Sequence, residues 1–283
     1  MTAAAPVAPQ AVPGGGAGLR RAVRAFPTLL RIGAASMFAY RAEIIIWFLT
    51  ALMPVIMLMV WDRVAEGGAI GGYDQAAFAR YFSATLVVRH LTSSWVVWEL
   101  NEMIRTGALS TALLKPVHPL VFPAAENLAA LPFRFVILVP LVAAIWLWRP
   151  EMGLGLHLAD VPWALLALFL GWFINYLVQV CFVALAFWWE QSLGLFQIWF
   201  GAWMLLSGYA FPLTFLPPWL YALVKWLPFR VMLGIPVEIG AGTLRGRDAM
   251  AAVSLQLAWA VLFLVLARTA WRRGVRRYEA YGA

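Results

Sequence analysis

Long apolar runs recur along almost the whole chain, and they constrain its fold more than any other feature. Six of these runs have about the length that an α-helix needs to cross ~30 Å of hydrocarbon. They extend over residues 43–60, 78–98, 128–148, 161–189, 193–211 and 250–267. A soluble globule could not hide so much apolar surface, because 64% of the 283 residues are hydrophobic and only 12% are charged. The chain is therefore predicted to be an all-α, polytopic membrane protein with six transmembrane helices.

The segment 213–245 is also apolar, but it is divided by prolines. Four of them fall within it: Pro217, Pro218, Pro228 and Pro236. Proline at this density breaks a helix, and broken helices at membrane depth have to be covered by protein. We predict a re-entrant or interfacial helical hairpin between spans five and six.

The residues before the first span divide into two parts. Residues 1–18 are rich in Ala, Pro and Gly and carry no charge, which predicts a flexible tail. In 19–41, the side chains of Arg20, Arg24 and Arg31 fall within about 40° of each other on a helix, opposite an apolar face. This pattern predicts an amphipathic helix at the membrane interface; the alternative is a soluble surface helix.

Basic residues indicate the orientation of the spans. They gather in the N-terminal segment, in the loop after span two and at the C-terminus (Arg20, Arg21, Arg24, Arg31, Arg41; Arg105, Lys115, Arg134; Arg268, Arg272, Arg273, Arg276, Arg277). The positive-inside rule then predicts that both termini are cytoplasmic, as an even number of spans requires. The predicted transmembrane domain, 19–283, comprises the interface helix, a six-span bundle over 42–271 and a cytoplasmic tail over 272–283.

The motifs of several enzyme classes are absent from the sequence. The chain has only two lysines, Lys115 and Lys225, and neither follows a glycine, so it contains no P-loop. Its three histidines and single cysteine are scattered and give no metal-ligand spacing. Its arginines lie beside apolar runs rather than on a solvated face, which argues against a nucleic-acid partner. We predict no catalytic site, no metal site and no cofactor in this chain.

The loop after span two has an apolar pattern that calls for a partner. On a helix over 101–115, the side chains of Ile104, Ala108 and Leu109 are predicted to face outward, and Thr106-Gly107 offers a turn. Lys115-Pro116 ends the helix. A short, mainly apolar cytoplasmic helix fits a groove on another protein. The alternative is that it packs on the ends of the bundle.

Two stretches resemble ABC-2 type transporter permeases. Residues 104–117, IRTGALSTALLKPV, resemble the segment that follows the second span in those proteins. Residues 207–220, SGYAFPLTFLPPWL, continuing to Leu227-Pro-Phe-Arg230, are similar to their region between spans five and six. The resemblance covers nearly the whole chain after residue 19 and is closest to an uncharacterised six-span subfamily that works with a separate ATPase.

This resemblance implies a half-transporter in the bacterial inner membrane that is not itself an enzyme. Two permease subunits, identical or different, would form a dimer among membrane lipids, and each would dock an ABC ATPase subunit that binds ATP and magnesium. Docking would use the helix at 101–115 (Ile104, Arg105, Thr106, Gly107, Ala108, Leu109, Leu113, Lys115). Export of a lipid-like, glycan or hydrophobic substrate is expected. The alternative function is an ATP-independent, bilayer-embedded lipid-modifying enzyme or scramblase.

Arg89 lies inside span two, about ten residues or ~15 Å from its start. Placing an arginine near the centre of a bilayer costs about 2.5–3.5 kcal/mol. Thr85, Thr92 and Ser93 are predicted to share its helix face. These four residues form a candidate substrate path that meets an anionic head group; the alternative is an arginine that holds the bundle together.

Asn175 and Gln179 form a polar pair four residues apart in span four. Such pairs commonly join helices by hydrogen bonds. A contact with substrate is the alternative.

Overall fold

The computed structural model describes residues 24–31, 41–148, 150, 153–189 and 191–278, and helices joined by turns make up these segments. In this part of the chain the only β-type contact is a bridge between Ile70 and Tyr73. The predicted all-α class is confirmed for the described residues. The predicted tail over 1–18 lies outside them.

Twelve helices, α1 to α12, follow in chain order within the described part. Residues 24–31 form α1, whose Arg24 and Arg31 side chains are exposed, and most of the remaining residues of the interface helix predicted over 19–41 lie outside the described part. The others are α2 Arg41–Val64, α3 Gln75–Thr92, α4 Val96–Arg105, α5 Leu109–Leu113, α6 Val121–Ala129, α7 Leu131–Trp148, α8 Val161–Leu185, α9 Ser192–Leu206, α10 Pro218–Val224, α11 Ile235–Gly240 and α12 Gly246–Arg277.

All six predicted spans fall on helices, namely α2, α3, α7, α8, α9 and α12. Among the described residues, three helical stretches are long and apolar enough to cross a membrane: Val121–Leu147, Leu158–Leu185 and Gly246–Arg277. The helix α9 is apolar but shorter. A membrane protein is therefore supported, and six crossings remain a prediction from the apolar runs.

The helix α8 forms the centre of the bundle. In its most apolar stretch 61% is buried, against 22% for α6–α7 and 33% for α12. The helix α12 packs along it, and α3, α4, α9 and α11 surround the rest. Gly171 permits one of these approaches, since a Cβ there would lie 2.8 Å from the carbonyl oxygen of Met232. A core at α8 explains why this span is apolar on nearly every face.

Two predicted spans are interrupted, which corrects their predicted extents. Span two was expected to continue to residue 98, but α3 ends at Thr92 and a new helix begins at Val96. Span five was expected to reach residue 211, but α9 ends at Leu206.

The backbone after α9 is irregular and is held by side chains from the first two spans. The Tyr81 hydroxyl donates to the carbonyl of Gly208 at 2.7 Å. The Trp61 indole N–H donates to the carbonyl of Ala210 at 3.1 Å. Gly208 has a φ of 89°, a conformation that glycine adopts without strain. Irregular backbone at membrane depth needs such protein partners.

The segment 213–245, predicted to form a helical hairpin, contains two short helical arms. The first arm is α10, and the second consists of a π-helical turn at Arg230–Gly234 followed by α11. Residues 231–237 are buried among α3, α8 and α12. A two-bonded ion pair between Arg230 and Glu238 lies in the second arm. Protein therefore covers the second arm, whereas Trp219 and Leu223 of α10 are 72% and 57% exposed, so a re-entrant or interfacial hairpin remains a prediction.

One end of the bundle, here the arginine-rich end, gathers the α4–α6 connections, the turn before α9 and the last turns of α12. The Asn101 amide donates to the Ser192 hydroxyl at 2.8 Å, and the rings of His118 and Trp271 lie 6.1 Å apart. Its exposed basic residues are Arg105, Lys115, Arg268, Arg272, Arg273, Arg276 and Arg277. These groups share one end, which is consistent with the predicted orientation.

The opposite end is closed by contacts between other connections. The amide N–H of Gly246 donates to the Asp160 carboxylate at 2.9 Å, which joins the starts of α8 and α12. The Gln75 amide donates to the backbone carbonyl of Asp62 at 3.2 Å, which joins α2 to α3.

Candidate functional site

The segment predicted to bind a partner consists of two helices rather than one. The helix α4 ends at Arg105, and α5 runs from Leu109 to Leu113. The predicted turn at Thr106-Gly107 is confirmed, because Gly107 has a φ of 79° and the Thr106 hydroxyl donates to the carbonyl of Glu102 at 2.8 Å. The helix predicted over 101–115 is thus correct in place but wrong in continuity.

The turn changes which side chains face outward. Ile104 and Leu109 were expected on the outer face, but their exposed fractions are 4% and 0%. Both pack into the apolar core, together with Leu100. They anchor the segment and are not available to a partner, so this part of the prediction is wrong.

The side chains that do face outward form a small apolar and basic surface, here called the outward patch. It consists of Ala108, Leu113, Leu114 and Lys115, all of which are exposed. Leu114 is 86% exposed and Leu113 is 37% exposed. Of the other predicted docking residues, Arg105 and Thr106 are also exposed.

The chain just after the outward patch is held by contacts with the helix bundle. The Tyr176 hydroxyl of α8 donates to the carbonyl of Leu120, just beyond the patch. His118 lies against Trp271 of α12. Loss of water from the ring and the nearby charges of Arg268 and Arg272 lower the pKa of His118. The connection over 118–120, just after the outward patch, is therefore tied directly to α8 and α12.

Arg89 contacts aromatic side chains from α9 and the irregular segment that follows it. Its guanidinium carbon lies 5.2 Å from the ring centre of Trp203 and 6.0 Å from that of Tyr209. Among the described residues, no carboxylate pairs with it. Cation–π contacts of this kind stabilise a desolvated guanidinium by about 2 kcal/mol but leave its charge without a counter-ion.

The hydroxyls predicted to line the same face donate to their own backbone. Thr85 and Thr92 each donate to a carbonyl one turn earlier at 2.8 Å. Ser93 follows the last residue of α3, and its hydroxyl donates to the carbonyl of His90 at 3.3 Å. The aromatic partners of Arg89 were missed because Trp203 and Tyr209 are distant in sequence.

Asn175 and Gln179 clamp the interruption between α3 and α4. The Asn175 amide donates to the carbonyl of Thr92 at 2.9 Å. The Gln179 amide donates to the carbonyl of Ser94 at 3.0 Å, and its oxygen accepts the N–H of Val97 at 3.1 Å. The two side chains therefore join α8 to the helix ends, as predicted for this pair.

Arg134 supports the same interruption from the other side. It was counted among cytoplasmic loop residues, but it lies in α7 with 2% of its surface exposed. Its guanidinium donates to the carbonyls of His90 and Ser93 at 3.3 Å and 3.0 Å, and to the side-chain oxygen of Asn127 at 3.4 Å. Carbonyl groups left over by the helix break explain why a buried arginine is tolerated here.

Three membrane-length helical stretches define a membrane protein, and an exposed patch of apolar and basic side chains lies at its arginine-rich end. The sequence profile of the family described as ABC-2 family transporter protein matches residues 45–282. The chain belongs to this family and is a permease subunit of an ABC transporter. No curated protein matches the chain in sequence. In the described part, no group of three or more His, Cys, Asp or Glu side chains could hold a metal ion.

Proposed function

We propose that this permease subunit exports a lipid-like, glycan or other hydrophobic substrate across the bacterial inner membrane. A separate ATPase subunit, which binds ATP and magnesium, docks on the 101–115 segment and supplies the energy. Two permease subunits form the working dimer, and both termini lie in the cytoplasm. The family membership supports the transporter class, and the residues of the 101–115 segment support the docking site.

The exposure of Leu113 and Leu114 is the observation that carries the docking proposal. Leu114 is 86% exposed, whereas Ile104 and Leu109 of the same segment are buried. These buried side chains already pack the segment against the core, so the outward patch is not needed for that packing. A short apolar surface that is held against the bundle in this way suits a groove on a partner protein.

The contacts just after the outward patch also suggest how motion would reach the membrane. When the docked ATPases close on ATP, the patch moves with them. The contacts of Leu120 with Tyr176 and of His118 with Trp271 then carry that motion to α8 and α12. Because α12 packs along α8, these two helices move together and open a path at the subunit interface.

Arg89 is proposed to meet an anionic group of the substrate on that path. Its charge is desolvated by Trp203 and Tyr209 but has no described carboxylate partner. An anionic head group would supply the counter-ion. The contact with α9 would also let a shift of α9 expose or cover the guanidinium.

The docking proposal is tested by placing a charge on the outward patch. Leu114→Glu should leave the permease inserted and dimeric but remove the ATPase, since burying an unpaired charge at an interface costs several kcal/mol. Leu158→Glu is the matched control, because Leu158 is 88% exposed and lies at the opposite end of the bundle. The measurement is co-purification in detergent of a subunit that is photolabelled by 8-azido-ATP.

The elution volume of the permease reports folding and dimer formation for both variants. Loss of the labelled subunit with Leu114→Glu and its retention with Leu158→Glu would support the proposal. Retention with both variants would show that the outward patch is not the docking site.

A further inference from the structure

The helix α12 extends well beyond the part of its surface that suits lipid. Its last exposed aliphatic side chain is Leu266, and its last residue, Arg277, lies eleven positions further on. Eleven residues of α-helix correspond to ~16 Å, whereas the head-group layer on each side of a bilayer is only about 5–8 Å thick. Arg276 and Arg277 therefore extend past the head groups into the space that a docked protein occupies.

The arginines of this extension form two stripes on α12. Arg268, Arg272 and Arg276 follow one another at intervals of four residues, and Arg273 and Arg277 form a second stripe about 100° away. Trp271 contacts His118, which places the last turns of α12 beside the 114–120 connection, with Arg268 and Arg272 on the side of His118.

These charges have no compensation within the described part of the chain. Arg272, Arg273, Arg276 and Arg277 are all exposed, and no described carboxylate pairs with any of them. Like charges four residues apart on a helix repel each other. A stripe of this kind is stabilised when an acidic surface is placed against it.

We infer that Arg272 and Arg276 form, with the outward patch, a two-part interface for an ATPase surface that surrounds its apolar groove with carboxylates. This inference rests on the proposed docking function and adds to it the chemistry of the partner. The apolar part, around Leu114, packs into the groove of the ATPase. The basic part steers the acidic rim and fixes its register, which is the usual contribution of charges at the edge of an interface.

The test compares two charge-matched double variants. Arg272→Glu with Arg276→Glu should weaken retention of the ATPase, labelled with 8-azido-ATP, by about tenfold at about 0.05 M salt. The difference from wild type should shrink at about 0.5 M salt, where charges are screened. Arg273→Glu with Arg277→Glu changes the net charge equally on the other stripe and should have a clearly smaller effect.

The outcomes separate this inference from the docking proposal. If Leu114→Glu removes the ATPase while the Arg272/Arg276 pair has no effect, the docking site stands and the two-part interface is overturned. Equal losses with both arginine pairs would also overturn it, since net charge alone would then account for the effect.

A lipid role for these arginines gives a different result. Nanodiscs of phosphatidylcholine and of phosphatidylglycerol provide the comparison. A loss of ATPase retention that occurs only in phosphatidylglycerol would assign Arg272 and Arg276 to anionic lipid and contradict the inference. The inference predicts the same loss in both lipids.

Discussion

Replacing Gln179 by leucine should destabilise the bundle, because this single side chain hydrogen-bonds to backbone groups both in the interruption between α3 and α4 and at the start of α4. Gln179 is 2% exposed and bonds to the carbonyl of Ser94 and the N–H of Val97 at 3.0 Å and 3.1 Å. Leucine fills a similar volume but leaves both groups buried without a partner. At about 1–2 kcal/mol for each orphaned group, the expected loss is about 2–4 kcal/mol.

The assay is heat treatment in detergent, followed by size-exclusion chromatography of the protein that remains monodisperse. For a chain of this size, 1 kcal/mol lowers Tm by about 2–4 °C, so Gln179→Leu should lower it by about 5–15 °C. Gln197→Leu is the matched control, since Gln197 is exposed on α9. A Tm for Gln179→Leu equal to that of the control would refute the clamp and, with it, the explanation of the interrupted span.

Three further predictions concern the arginine-rich end and the arginine inside the bundle. Gly274→Ala should lower Tm by several degrees, because its Cβ would lie 2.0 Å from a ring carbon of Phe187, whereas Gly194→Ala, with nothing within 4 Å, should not; equal Tm values would contradict this packing. Because the pKa of His118 is lowered in the folded protein, stability should fall as pH drops below about 6.5. His118→Gln should remove that part of the pH dependence of Tm, and an unchanged pH profile would exclude His118 as its source. Arg89→Gln should reduce substrate-stimulated ATP hydrolysis by the assembled transporter while the permease elutes normally; a lower yield of folded dimer instead would assign Arg89 to the bundle.

The positions of the helices could be predicted from sequence, because apolar runs and prolines act locally. The runs place α7 and α8 within a few residues, although α12 ends ten residues beyond its predicted span, and the prolines indicate the broken segment that contains α10 and α11. The turn at Gly107 could also be predicted, since a glycine after a polar residue is a local signal.

The interruptions could not be predicted, because the groups that satisfy them come from distant helices. Nothing near Thr92 in the sequence indicates that Asn175 and Gln179 will bond to the backbone after it. In the same way, nothing near Leu206 in the sequence indicates that Tyr81 will bond to the backbone after α9.

The facing of the candidate docking residues was wrong for a related reason. The prediction places Ile104, Ala108 and Leu109 on the outward side of one continuous helix. The turn at Gly107 resets the phase of the helix, so Ala108 faces outward while Ile104 and Leu109 are both buried, and Leu114 is the most exposed apolar residue of the segment. Small errors in helix continuity therefore change the residues assigned to an interface.

Photo-crosslinking from Leu114 tests the docking proposal most directly. Benzoylphenylalanine in place of Leu114 should, on illumination, form a covalent adduct with a subunit that 8-azido-ATP labels. The same replacement at Leu158, which is as exposed at the other end of the bundle, should form none. An adduct from Leu158 but none from Leu114 would contradict the account, because the ATPase would then contact the end of the bundle opposite to the outward patch.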